Sequence, residues 1–209
     1  FLSKFYPTAK EIVSIDDYTL ETDPANPKLS FPDKDLALWT FPNFYGQNAE
    51  VVKTLLEKHK LKLATAKYWV IDLRKNDGGD VRVGNLLLPF LYSKPIIWHQ
   101  ELTRLTEDNF TNLYNNYIKE TVESLPEADR KFYDSSFAIT RTHFGEFGSI
   151  YNNSRIADTL KFDKKISQPL KVTILIDKNT FSSGELFTIL ARQSDKVIVM
   201  GEKSAGSID

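Results

Sequence analysis

The sequence predicts an α/β domain built on a mostly parallel sheet. Two observations carry this expectation. Short apolar runs rich in β-branched residues alternate with segments of helical period, and polar turns bearing glycine or serine separate them.

In chain order, residues 1–34 hold four prolines and mixed charge, so they read as a linker or the remnant of a preceding domain. One short strand is expected there, over Glu11 to Ile15. The core is expected over residues 35–209. It opens with Leu-Ala-Leu-Trp-Thr-Phe (36–41), a buried strand ended by Pro42. Residues 49–59 place Val51, Val52, Leu55 and Leu56 on one helical face. The basic run from Lys58 to Lys62 then reads as the solvated end of that helix.

Tyr68 to Leu73 forms the next strand, and Arg-Lys-Asn-Asp-Gly-Gly-Asp (74–80) is a polar turn. Val83 to Tyr92 is apolar enough for a buried helix. Leu170 to Asp177 is the third clear strand, Leu186 to Gln193 its helix, and Asp195 to Gly201 the fourth strand. Between about residues 94 and 169 the pattern changes. Asn109 to Ser124 and Ala128 to Tyr133 read as helices of an insertion, with aromatics at Phe110, Tyr114, Tyr117, Phe132 and Tyr133.

Composition narrows the function. Of the 209 residues 41% are hydrophobic and 26% charged, enough to bury a core, and the net charge of -1 provides no field for nucleic acid or an anionic membrane. Without cysteine there is no thiolate nucleophile and no thiolate metal site. His59, His99 and His143 stand at no ligand spacing, so no metal and no cofactor is expected. No apolar run approaches the ~20 residues that span a bilayer. The chain opens on Phe1 and stops at Asp209 without a closing element, so it is expected to belong to a longer protein whose C-terminal part lies beyond this sequence.

Two turns carry the chemistry. Gly78-Gly79 follows a strand and precedes a helix, where backbone N–H groups can approach a developing negative charge. The same composition also makes an ordinary strand-to-helix turn. At the second turn, Ser182-x-x-Glu185 fits a capping box. A tight strand-to-helix turn can equally display a nucleophilic serine, with the N–H of Ser183 placed to receive an oxyanion.

Taken in order, Asp72-Leu-Arg-Lys-Asn-Asp-Gly-Gly79, Thr180-Phe-Ser-Ser-Gly-Glu185 and Gly201-Glu-Lys-Ser-Ala-Gly206 resemble the landmarks of the C-terminal-processing (tail-specific) serine peptidases, including their tricorn-type branch. The resemblance spans roughly residues 36–209. It implies a crotonase/ClpP-like fold, a ββα superhelix core with the helical insertion. It also implies Ser182 as nucleophile, with an oxyanion hole from Ser183 and from Gly78 or Gly79. Asp72, Arg74 and Asn76 would hold the first turn in shape.

A serine hydroxyl needs a base. The tail-specific branch uses a lysine whose matching position here is Ser207. The tricorn-type branch uses a histidine on the strand that opens the core, where this chain carries Trp39 and Thr40. His143, His99 and Lys203 are the candidate bases within the sequence, and a base beyond its ends is the other expectation. The resemblance implies a protein or peptide substrate and a place outside the cytoplasm, in a bacterial periplasm or at a cell surface. Two other functions stand beside the serine endopeptidase. One is a catalytically incomplete peptide- or glycan-binding domain of the same fold, using Tyr114, Tyr117, Tyr133 and Phe144. The other is an acyl-CoA enzyme, for which the sequence offers no basic nucleotide cradle.

Overall fold

A computed structural model describes residues 25–99, 102–148, 157–163 and 166–208. The strand expected at Glu11 to Ile15 lies outside them. The chain divides into two compact units, Phe1–Lys94 with Phe162–Asp209, and Pro95–Lys161.

The first unit begins with β1 (Lys28–Asp33) and β2 (Leu36–Thr40), followed by α1 (Asn48–Lys58) and the short α2 (Lys60–Leu63). Strand β3 (Tyr68–Asp72) leads through the glycine turn to α3 (Val81–Asn85) and α4 (Leu88–Leu91). The second unit holds β4 (Ile96–His99), β5 (Thr103–Arg104), α5 (Glu107–Leu113), a π-helical turn at Tyr114–Ile118, α6 (Lys119–Glu123), α7 (Glu127–Thr142), β6 (Phe147–Gly148) and β7 (Ala157–Leu160). The chain then completes the first unit with β8 (Lys171–Ile176), α8 (Ser183–Ala191) and β9 (Val197–Gly201).

Five strands form one sheet in the order β1-β2-β3-β8-β9. Strands β2, β3, β8 and β9 are parallel, and β1 adds antiparallel at an edge. The first unit is therefore α/β. Two expectations change. Residues 28–33, inside the stretch read as linker, form β1; its Pro32 is tolerated because the strand lies at the sheet edge and its register shifts between Ser30 and Asp33. The single helix expected over Val83 to Tyr92 is two short ones, broken where Pro89 enters the first turn of α4, a position that proline favours.

The central strands are apolar on both faces, and one face is the more deeply buried, with Leu36, Leu38, Tyr68 and Val70 half-buried on the other. Trp39, Trp69, Ile71, Leu73, Val172 and Ile174 are fully buried, and Phe187 packs into the same core from α8. The parallel register sets the location of the site. Thr40 stands beside Asp72, Asp72 beside Leu175, and Ile176 beside Gly201. The chain therefore leaves four neighbouring strands at one edge of the sheet, where ligands of such sheets bind.

The second unit has its own core of Leu105, Phe110, Ile118, Val122 and Phe137, against which Tyr114, Tyr133 and Phe144 pack. Helices build most of it, together with the ribbons β4–β7 and β5–β6. Tyr114, Tyr133 and Phe144 are thus packing residues of this core. No described helix is long and apolar enough to cross a membrane.

Candidate functional site

The turn after β3 is held by the side chains of Asp72, Arg74, Asn76, Asp177 and Thr180. Arg74 grips the buried Asp72 with two bonds, Nη2 to Oδ2 at 2.7 Å and Nε to Oδ1 at 3.0 Å. Asp177, after β8, reaches back so that its Oδ1 accepts the Lys75 N–H at 3.0 Å. Asn76 is fully buried. Its Nδ2 donates to the Phe41 carbonyl at 3.0 Å, its Oδ1 accepts the Gly78 N–H at 3.0 Å, and its carbonyl accepts the Phe181 N–H at 2.9 Å. One residue thereby joins the ends of β2, β3 and β8. Thr180 adds a second tie, its Oγ1 donating to the Leu73 carbonyl at 2.9 Å.

These ties bring the glycine turn against the serine turn. Gly78 has φ +88°, and a Cβ placed on it would lie 2.9 Å from the Cβ of Ser182 and 3.5 Å from the Ser183 nitrogen. Glycine is needed there for both conformation and space. Gly184 is constrained by contact alone, since a Cβ on it would meet Asn76 Oδ1 at 2.7 Å.

The two glycines differ in what their amides do. The Gly78 N–H is already committed to Asn76. Gly79 is bridged to Phe44 through the flanking Gly78 carbonyl (2.6 Å) and Asp80 N–H (2.5 Å), a parallel pattern that turns its own N–H away from Phe44. The N–H groups of Gly79 and of Ser183 have no hydrogen-bond partner among the described residues. Ser183 is the first residue of α8, so its amide also carries the positive end of the helix dipole.

Ser182 adopts φ +49°, ψ -117°, a conformation that non-glycine residues hold only where the surroundings impose it. Ser182 and Glu185 stand in the reciprocal arrangement of a capping box, but the Ser182 hydroxyl does not reach full hydrogen-bond geometry with α8. The Glu185 N–H donates instead to the Ser182 carbonyl at 2.9 Å, while the Ser182 N–H donates to Glu185 Oε2 at 2.9 Å. Of the two halves of the box, the glutamate half is the one closed by a full hydrogen bond. The Ser182 side chain is half-buried and no described side chain bonds to its hydroxyl. By contrast the Ser183 hydroxyl is buried and has no partner among the described residues.

Glu185 is buried at 4% exposure and gathers the segment after β9. Its Oε1 accepts the Gly206 N–H at 2.7 Å, and its Oε2 accepts the Ser207 N–H at 3.0 Å and the Ser207 hydroxyl. Burial pushes the Glu185 carboxyl up, but hydrogen bonds from Ser207, Ser204 and Gly206 outweigh it and hold the pKa below its ordinary 4.5.

The candidate bases are placed as follows. Lys203 is exposed and forms no hydrogen bond with a described residue. His143, in the second unit, sets its Nδ1 3.1 Å from Glu146 Oε2. His99 is the last residue of β4. Among the described residues no group of three His, Asp or Glu could hold a metal ion. Sequence reasoning gave Asn76 a part in holding its own turn but missed its ties to Phe41 and Phe181, the Thr180 tie and the closure of Ser207 on Glu185. Only the Asp177-x-x-Thr180 turn spacing hinted at any of them.

Two outcomes follow. Asn76→Ala leaves the Phe41 carbonyl and the Gly78 N–H without partners, at about 1–3 kcal/mol each, and the urea midpoint should fall accordingly with an unchanged slope. A midpoint equal to wild type would show that the ties are dispensable. Glu185 has a folded pKa below its ordinary value, so its contribution is complete above pH 4.5 and is lost as pH falls through the depressed value. The stability gap between wild type and Glu185→Gln should be full at neutral pH and narrow in acid. A gap independent of pH would refute the assignment.

Residues 35–208 match the model of peptidase family S41. The fold is shared with solved structures of low identity. A putative peptidase from Parabacteroides merdae is 14% identical with a TM-score of 0.53, over 87% of this chain and 44% of that one. Mature CPAF is 15% identical with a TM-score of 0.53, over 82% of this chain and 38% of that one. CPAF complexed with lactacystin matches at 15% and 0.52, with the same coverage. This chain thus spans less than half the length of each. No curated protein matches the sequence. With the family model covering the four parallel strands and both turns, the chain belongs to peptidase family S41, a family of serine peptidases.

Proposed function

We propose that the chain carries the nucleophile and oxyanion hole of a serine endopeptidase of the tail-specific kind, on a crotonase/ClpP-like core with residues about 94–169 inserted. The observation that carries the reading is the approach of Gly78 to Ser182 beside two uncommitted amides. In this reading the Ser182 Oγ attacks the scissile carbonyl of a protein or peptide substrate. The carbonyl oxygen takes the negative charge and is received by the N–H groups of Ser183 and Gly79. Gly78 serves the turn, because its N–H is spent on Asn76. Collapse of the tetrahedral intermediate expels the amine and leaves an acyl-Ser182 ester, which water hydrolyses. The proton of Ser182 goes to a base supplied by His143, His99, Lys203 or a group beyond residues 1–209. In the same reading the protein works outside the cytoplasm, as the family resemblance implies.

The Ser182 hydroxyl, to which no described side chain bonds, favours a second reading, a peptide-binding domain that keeps the fold without a working base. A fluorophosphonate probe separates the two. The peptidase reading expects labelling that Ser182→Ala abolishes. It expects Ser183→Ala to retain labelling, since only its amide is used, and to gain about 1 kcal/mol of stability from removing a buried unpaired hydroxyl. Absence of labelling in the wild-type protein would favour the binder.

A further inference from the structure

Ser182 needs an explanation for its backbone. A serine at φ +49° costs about 1–3 kcal/mol unless the surroundings fix it. Its carbonyl is fixed by α8, where the N–H groups of Glu185 (2.9 Å) and Leu186 (3.0 Å) both donate to it. Its N–H is fixed from a different part of the chain. That hydrogen is shared between Glu185 Oε2 at 2.9 Å and Ser207 Oγ at 2.8 Å. The Ser207 hydroxyl in turn donates to the same Glu185 Oε2. Three groups thus close a ring, and a charged acceptor strengthens each bond to it.

The segment that delivers Ser207 is itself anchored. The Glu202 N–H donates to the Ile176 carbonyl at 3.2 Å and the Ala205 N–H to the Thr180 carbonyl at 3.0 Å. Gly206 and Ser207 then donate their amides to the two Glu185 oxygens. Residues 202–207 therefore lie across the serine turn, with the Ser207 hydroxyl ending on the amide of the candidate nucleophile.

We propose that Ser207 is a positioning residue for Ser182: its hydroxyl bridges the Ser182 N–H to Glu185 and so sets the direction of the Ser182 side chain and of the Ser183 amide that follows. The inference rests on the reading of Ser182 as nucleophile. A hydroxyl is the group suited to this place because it accepts from an N–H and donates to a carboxylate at once. An alanine can do neither. A threonine retains both functions.

The test uses the full chain with Ser207→Ala and Ser207→Thr. Two quantities are read: hydrogen exchange of the Ser182 amide by NMR, and the saturation kinetics of fluorophosphonate labelling. In Ser207→Ala the Ser182 amide should exchange about tenfold faster, and the maximal labelling rate should fall about tenfold, the effect of about one hydrogen bond. The half-saturating probe concentration should not change, the Ile174 amide in the core should keep its protection, and Ser207→Thr should restore both quantities. Unchanged Ser182 exchange in Ser207→Ala alongside normal labelling overturns the positioning role alone. So does a loss that Ile174 shares equally, or one that threonine fails to rescue. A wild-type chain that is never labelled overturns the nucleophile reading, and the positioning role falls with it.

Discussion

The site depends on one buried amide. Asn76 has no exposed surface, and both ends of its side chain and its carbonyl are bonded to different strand termini. An unpaired amide in that place would be costly, so the three chain segments are held to one geometry by the need to satisfy it. The glycines follow from this constraint. Gly184 leaves room for Asn76 Oδ1, and Gly78 turns so that its N–H can reach that oxygen. The approach of the glycine turn to the serine turn is thus a consequence of polar satisfaction in the core as much as of any requirement of chemistry.

The second level is carried by carboxylates. Asp177 ties the serine turn to the glycine turn through Lys75, and Glu185 ties it to the segment after β9. Hydrogen bonds outweigh burial in lowering both carboxyl pKa values, so each stays ionised while partly withdrawn from water. Neither contacts the Ser182 hydroxyl. They shape the backbone around it and leave the Ser183 and Gly79 amides without partners among the described residues. Such preorganised donors cost nothing to reorient when charge develops.

Much of this was legible in the residues. The four parallel strands follow from apolar runs near 36–41, 68–73, 170–177 and 195–201, because buried strands need no polar alternation. The two turns stood out because adjacent glycines and a serine pair are unusual at strand ends. What could not be read was the pairing between them. Asn76 in sequence is a turn former like many others, and only the fold shows its amide facing Phe41. The choice between Gly78 and Gly79 was equally invisible, since it depends on which N–H Asn76 takes. Strand β1 was hidden by Pro32, and the helix over Val83 to Tyr92 was overextended because its apolar run conceals the break at Pro89. Of the aromatics open in sequence to a binding role, Tyr114, Tyr133 and Phe144 pack against the cluster of Phe110 and Phe137.

The central claim is spatial, and it can be measured without any activity. A Cβ on Gly78 would stand 2.9 Å from the Ser182 Cβ, so the Hα protons of Gly78 and the Hβ protons of Ser182 must lie in close contact. A nuclear Overhauser experiment on the full chain should give a strong cross-peak between them. An assigned spectrum in which Ser182 Hβ shows no cross-peak to Gly78, and instead contacts residues remote from the glycine turn, would contradict the account.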